Sequence, residues 1–230
     1  MRTIAIGDIH GCSKALVGLL DEIAPTSSDQ LVFLGDYVDR GPDSKGVLRT
    51  LIELQQHCSP VFLLGNHEIM FRGALRGLDP QLWLQTGGQQ TLTSFGGRLE
   101  NVGAKEIAFL AGCKSYHETE NQIFVHANFL PDLALEDQPE FNLYWEHLSE
   151  RVPLPHVSGK HVYLGHTPQP FGRIGQFGHF TCLDTACVGG FWLTGMDVHT
   201  GEVWQVSKEG HPRENWKQIK RFWRFLKSWT

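Results

Sequence analysis

Five short apolar runs each lead into a residue able to bind a hard cation or a phosphate. Ile4-Ala5-Ile6 runs into Gly7-Asp8, and Leu31-Val32-Phe33-Leu34 into Gly35-Asp36. Val61-Phe62-Leu63-Leu64 leads to Gly65-Asn66-His67, Ile123-Phe124-Val125 to His126, and Val162-Tyr163-Leu164 to Gly165-His166. His10 follows Asp8 by two residues, so in an extended chain both side chains point the same way. Asp8, His10, Asp36, Asn66, His126 and His166 form an oxygen and imidazole donor set without thiolate. That set suits Mn²⁺, Fe²⁺ or Zn²⁺ rather than a cysteine-built structural site. Six donors exceed the needs of one catalytic metal that keeps an open position. They match two ions sharing a carboxylate, which dinuclear hydrolases hold roughly 3.5–4 Å apart. A lone Asp or His at a strand end is ordinarily a turn former or helix cap. Five strand ends that all carry one, plus His10, are poorly explained that way.

The runs themselves are short, rich in β-branched and aromatic residues, and closed mostly by glycine, which reads as strands buried on both faces. Helical patterns separate the first three. Ser13 is a candidate cap for Lys14–Ile23, and Ser44 for a helix carrying Val47, Leu48, Leu51, Ile52 and Leu54. Residues 8, 36 and 66 recur at the spacing of successive βαβ units. Open α/β sheets bind ligands at the carboxyl ends of their strands, where all these donors fall. Residues 69–115 read as helices over one edge of the site, with a glycine-rich middle. Residues 131–158 read as an acidic, proline-bearing loop with a short helix around Leu143–Leu148. Segments around 178–183, 191–198 and 202–206 read as antiparallel strands, with Thr200-Gly201 as a hairpin turn. The expected architecture is an α/β sandwich in a single domain.

Composition sets the outer limits. With 230 residues, 41% hydrophobic and a formal charge of −5, the chain is sized for one packed domain and has no basic field to recruit nucleic acid. It contains no apolar stretch of membrane-spanning length. The N-terminus lacks the pattern of a secretory signal, and five cysteines without a CxxC pair point to a reducing, cytoplasmic setting.

Three longer motifs carry a family resemblance. Gly7-Asp8-Ile9-His10-Gly11, Gly35-Asp36-Tyr37-Val38-Asp39-Arg40-Gly41 and Gly65-Asn66-His67-Glu68 resemble the GDxHG, GDxVDRG and GNHE signatures of PPP-type phosphoprotein phosphatases, within the calcineurin-like metallophosphoesterases. The small bacterial and bacteriophage-lambda-like members are the most similar. His126-Ala127, Gly165-His166-Thr167 and Asp184-Thr185 through Leu193-Thr194 resemble the later segments of the family. Trp83, Gly87-Gly88 and Thr91-Leu92 resemble its bacterial mid-chain pattern. The resemblance covers residues 3–206 and implies a metallophosphoesterase β-sandwich flanked by helices in an α/β/β/α order.

It also implies roles. Asp8, His10 and Asp36 would bind a first ion, and Asp36, Asn66, His126 and His166 a second, with Asp36 bridging. Mn²⁺ is the leading candidate, with Fe or Zn as alternatives. A hydroxide between the ions would attack phosphorus directly. His67 would be the general acid, oriented by Asp39, and Arg40 would grip phosphate oxygens. Asn66, being neutral, would bind metal and substrate phosphate without repelling the latter. Glu68 and Thr167 read as supporting residues. The implied activity is hydrolysis of phosphomonoesters of the Ser/Thr phosphoprotein type, on a phosphorylated protein or a small phosphoester. Symmetrical diadenosine tetraphosphate hydrolysis is the alternative enzyme, and a non-catalytic phosphate-binding scaffold the alternative outside enzymes.

Departures from the pattern matter as well. Lambda-like members carry Trp-x-Arg after the HA segment, where this chain reads Tyr144-Trp145-Glu146-His147; Arg151 is the nearest arginine. His147, His156, His161, His179 and His199 read as surface or loop histidines, Trp83 as core, and Cys12 as a small residue at a helix start. Residues 207–230 form a basic aromatic appendage: six Lys or Arg against one Glu from His211 onward, with Trp216, Ile219, Phe222, Trp223 and Leu226 at helical spacing. An amphipathic helix there is expected to pack on the acidic body, with a membrane surface or an acidic partner as the other readings.

Overall fold

The computed structural model describes residues 1–213; the aromatic segment from 214 onward lies outside the described residues. Two five-stranded sheets form the frame. The first has the order β10-β9-β1-β2-β3 and the second β4-β5-β6-β8-β7. In the first sheet β1 (Thr3–Ile6), β2 (Gln30–Phe33) and β3 (Val61–Phe62) run parallel, and β9 (Trp192–Asp197) and β10 (Val203–Ser207) extend it antiparallel. In the second, β5 (Gln122–Val125), β6 (His161–Leu164) and β8 (Phe180–Cys182) are parallel, edged by β4 (Tyr116–Glu118) and β7 (Gly175–Gln176).

The near-continuous apolar runs are explained by three apolar layers. Ala5, Val32, Leu34, Phe124, Tyr163 and Leu183 meet between the sheets. Their neighbours Ile4, Ile6, Leu31 and Phe33 face the helices α1 (Ser13–Ile23) and α2 (Ser44–Leu54) on the first sheet's outer side. Ile123, Val125, Val162 and Leu164 face the opposite way, under Leu135, Leu143 and Tyr144. Successive strand residues therefore enter different layers, as the period of two requires. This is the sandwich expected from the sequence.

Several local expectations change. Cys12, not Ser13, is the cap residue of α1, and it makes no side-chain cap bond. Asp43 caps α2, accepting from Gly46 N–H at 2.9 Å. Ser44 is thereby freed to bond the Asp39 backbone (3.1 Å) and the Thr91 hydroxyl (2.7 Å). The short helix of the acidic loop is α7 (Glu140–Tyr144), earlier than expected because Pro139 precedes it and Trp145 leaves helical geometry. The 180–182 strand is parallel to β6, its long-range partner, and antiparallel only to β7. The 69–115 region is helical as expected: α3 (Asn66–Leu75), α4 (Gln81–Trp83), a π turn at Leu84–Gly88, α5 (Gln89–Ser94) and α6 (Ala104–Ala111).

Candidate metal centre

The loops that leave β1, β2, β3, β5 and β6 converge at one end of the sandwich. Five of their residues have left-handed backbones although none is glycine: His10 (φ 46°), Asp36 (52°), Asp39 (72°), Arg40 (64°) and His166 (63°). Each such conformation costs of order 1–3 kcal/mol and persists only where the surroundings enforce it. Glu68 supplies much of that enforcement. Its carboxylate accepts from the backbone N–H of Asp36 (2.9 Å), Tyr37 (2.8 Å), Val38 (3.2 Å) and Gly65 (3.1 Å). The supporting role expected of Glu68 is thus the folding of the whole Asp36–Val38 turn.

Asp36 stands at the centre. Its Oδ2 lies 3.5 Å from His10 Nε2 and its Oδ1 3.4 Å from His126 Nε2. Backbone carbonyls take the other ring nitrogens: Val38 O is 2.9 Å from His10 Nδ1 and Leu34 O is 2.7 Å from His126 Nδ1. Both rings therefore carry their proton on Nδ1 and turn a bare Nε2 toward Asp36. His126 Nε2 also sits 3.2 Å from Asn66 Oδ1, so acceptor faces acceptor. His166 donates from Nε2 to Trp145 O at 3.1 Å and packs edge-on against His126.

Two groups of ligand atoms, each within 4.8 Å of one another, result among the described residues: His10, Asp36 and His67, and Asp36, His126 and His166. The second group gathers three of the residues expected around the second ion, and Asn66 adjoins it. The first contains His67 where the sequence reading put Asp8. The Asp8 carboxylate is turned to the His166 backbone N–H, at 2.9 and 3.2 Å.

The electrostatics favour a cation. Burial pushes the Asp8 carboxyl well up, and the neighbouring Asp184 and Asp36 push it further. Burial also raises Asp184, to about 6. Burial lowers His10 and His166 to about 3 and lowers His126, leaving neutral imidazoles ready to donate lone pairs. Crowded carboxyls, bare imidazole nitrogens and facing acceptors fit a pair of hard divalent ions. Arg40 supplies a positive charge at the same place. Its Nη1 donates to His10 Nε2 at 2.7 Å, so an ion bound by that nitrogen must displace the guanidinium.

Beside this cluster lies a second device. His67 Nδ1 is 2.7 Å from Asp39 Oδ2, and His67 Nε2 is buried without a hydrogen-bond partner among the described residues. Burial opposes a charge on His67, but Asp36 and the Asp39 hydrogen bond outweigh it and raise the ring above an ordinary histidine. Asp39 is itself held by Trp83 Nε1, 3.0 Å from both oxygens, and by the Thr91 hydroxyl at 2.7 Å. Gly87 (φ 118°) accepts from Arg40 N–H through its carbonyl. A Cβ on Gly87 would meet Arg40 Cγ at 2.6 Å, and one on Gly88 the Trp83 ring at 2.3 Å. The mid-chain Trp, Gly-Gly and Thr therefore brace Asp39 and Arg40.

The family model of calcineurin-like phosphoesterases matches residues 1–195. The chain belongs to the calcineurin-like phosphoesterases. Among curated members, a symmetrical bis(5'-nucleosyl)-tetraphosphatase of Nitrosomonas europaea is 35% identical over 137 residues, covering 59% of this chain and 48% of that one. Serine/threonine-protein phosphatase 1 of Salmonella typhimurium is 30% identical over 199 residues, covering 82% and 88%. The matched stretch thus spans about half the length of the tetraphosphatase. A solved structure provisionally described as a diadenosine tetraphosphatase has a TM-score of 0.68 at 24% identity, covering 93% of this phosphoesterase and 94% of its own chain. A cold-active protein tyrosine phosphatase has a TM-score of 0.64 at 16% identity, covering 92% and 78%. Both speak to the fold alone.

The folded chain of this calcineurin-like phosphoesterase changes the reading of His147, Arg151 and His156. His147 is not a bland loop residue: its ring packs edge-on against His166, with centroids 4.5 Å apart. Its position two residues after Trp145 was the available signal. Arg151 offers no spare guanidinium to the centre, because it is ion-paired with Glu146 and donates to Phe129 O at 2.8 Å. His156 is buried rather than superficial, bonded to Leu133 O and Ser158.

Proposed function

We propose that this calcineurin-like phosphoesterase hydrolyses dinucleoside tetraphosphates symmetrically, releasing two nucleoside diphosphates, with two divalent ions held around Asp36. The observation that carries the reaction class is the set of mutually facing acceptors on Asp36, His10, His126 and Asn66, next to the buried, unpartnered Nε2 of His67. The substrate class is supported by the tetraphosphatases of Nitrosomonas europaea and Cellvibrio japonicus, the latter 36% identical over 140 residues. The sequence reading ranked phosphoprotein monoesters first; these relatives reverse the order. The Salmonella phosphatase, alignable over 82% of the chain, favours a phosphoprotein phosphatase as the second reading.

Asp36, His10 and Asp8 would hold one ion, and Asp36, His126, Asn66 and His166 the other. The ions, Mn²⁺ first among the candidates, would supply an ionised water near neutral pH and neutralise the phosphoryl oxygens. Arg40 has further N–H donors for those oxygens once its guanidinium leaves His10. Asn66 adds an amide without adding negative charge. His67 receives orientation from Asp39, and Nε2 of the protonated ring holds the proton that a departing oxygen takes. A nucleoside diphosphate is a weakly basic leaving group and needs that proton less than a serine alkoxide does.

The deciding assay is chromatography of products from diadenosine tetraphosphate, run beside phosphate release from a phosphoserine peptide, with Mn²⁺ added. ADP formed faster than peptide phosphate supports the proposal. Peptide turnover without ADP moves the assignment to the second reading, and no turnover of either with metal bound favours a scaffold.

A further inference from the structure

Phe171 has a conformation that the proposed reaction leaves unexplained. It has φ 57° and ψ 25°, a left-handed backbone that a bulky aromatic residue rarely adopts, and the residue is 75% exposed. Gly172 follows with φ 62°, so two successive residues take the turn that lifts the ring outward. Folding alone gives no reason for strain that drives an apolar ring into water, and such strain gathers at ligand sites.

Its surroundings point to a ligand. The Arg173 guanidinium lies 5.9 Å from the Phe171 ring centre. Phe191, 38% exposed, packs against Gly172 so closely that a Cβ there would meet it at 2.6 Å. The turn is fixed to the metal centre from two directions. Phe171 follows His166 by five residues, at most about 18 Å of extended chain. Gln169 N–H donates to Asp184 O at 2.8 Å, and Ala186, which accepts from Phe191 N–H, donates to the Asp184 carboxylate at 2.9 Å. Leu183, next to Asp184, packs on Gly7, next to Asp8, so closely that a Cβ on Gly7 would meet Leu183 O at 2.2 Å.

We propose that Phe171, flanked by Phe191 and Arg173, is a stacking platform for the base of a nucleotide whose phosphates occupy the metal centre. The inference rests on the nucleotide reading above and adds the subsite that recognises the nucleoside. An aromatic face accepts any base, and the arginine adds a cation beside it for the ring or the adjoining phosphates. The platform therefore selects nucleotides over base-free phosphates without choosing among bases.

The test is equilibrium binding of α,β-methylene-ADP and of its base-free counterpart methylenediphosphonate, with Mn²⁺, to the full chain and to Phe171→Gly and Phe171→Trp. Loss of the ring is expected to weaken α,β-methylene-ADP by about 5- to 150-fold, the range for one stacked base. Methylenediphosphonate should bind unchanged, and Phe171→Trp should retain nucleotide affinity. Phe171→Gly suits the left-handed backbone, so its melting temperature should be no lower than that of the parent, which separates a lost contact from a lost fold. Equal nucleotide affinity in all three proteins, or equal weakening of both ligands, overturns the platform. Nucleotide binding that depends on Phe171, without hydrolysis of diadenosine tetraphosphate, keeps the platform and removes only the assigned reaction.

Discussion

Asp39→Asn is the substitution that most sharply tests how the His67 proton is controlled. Asp39 and His67 are 0% and 1% exposed, and the two Asp39 oxygens accept from His67, Trp83 and Thr91. An amide keeps only one of those oxygens. If its NH₂ replaces Oδ1, it faces the Trp83 N–H and the Thr91 hydroxyl. If it replaces Oδ2, it faces His67 Nδ1 and forces that ring to the other tautomer. Either way a charge-assisted bond becomes neutral and two donors meet. Breaking a buried pair of this kind costs about 3–5 kcal/mol, to be read by urea unfolding. His67 also loses one of the charges that raise it, so the alkaline limb of kcat should move to lower pH. A positioned general acid contributes about 10²–10⁴-fold. Loss of that order is expected for a phosphoserine peptide, while p-nitrophenyl phosphate, with a good leaving group, should lose about tenfold or less. Equal losses on the two substrates, with the alkaline limb unmoved, would refute the reasoning.

Other perturbations probe the scaffold around that pair. Asp36→Asn removes the shared carboxylate, so metal analysis of protein equilibrated with Mn²⁺ should fall from two ions per chain to one or none. Gly87→Ala places a Cβ 2.6–2.7 Å from Arg40 at φ 118°; it should destabilise by about 1–3 kcal/mol in urea melts and raise KM for phosphoesters as Arg40 shifts. In metal-free protein, His10 and His166 have folded pKa values of about 3, below the unfolded value near 6.5. The unfolded chain then binds those two protons between the limits, a contribution that lowers stability by up to about 2.7 kcal/mol per unit as pH falls; the raised Asp8 and Asp184 carboxyls hold protons in the folded chain and oppose it, so the rings are to be followed individually by NMR titration. Imidazole resonances of His10 and His166 that titrate near 6.5 in the folded protein would contradict burial of neutral imidazoles.

Strand-end chemistry is what a linear chain displays well. Asp8, Asp36, Asn66, His126 and His166 each follow a short apolar run, and a strand's direction delivers whatever follows it to one edge. The two-sheet frame and the gathering of Asp36, His126 and His166 were legible for that reason, whereas the pairing of Asp39 with His67 was implied by the family resemblance. The helix caps were less so, because Ser13 and Ser44 are good cap residues by type, and the choice between Ser44 and Asp43 depended on Thr91, 47 residues away.

Residue types and local spacing by themselves determined that this chain gathers hard donors at strand ends, since alternation and turn chemistry act over a few residues. Contacts made across long stretches of chain decided the rest. Only the folded molecule set Glu68 beneath the Asp36 turn, closed Trp83 and Thr91 on Asp39, and aimed Arg40 at His10. It alone packed His147 on His166, tied Arg151 away from the centre, and held Phe171 outward against its backbone preference. Each of these depends on which distant segments share a boundary, and no periodicity along the chain encodes that.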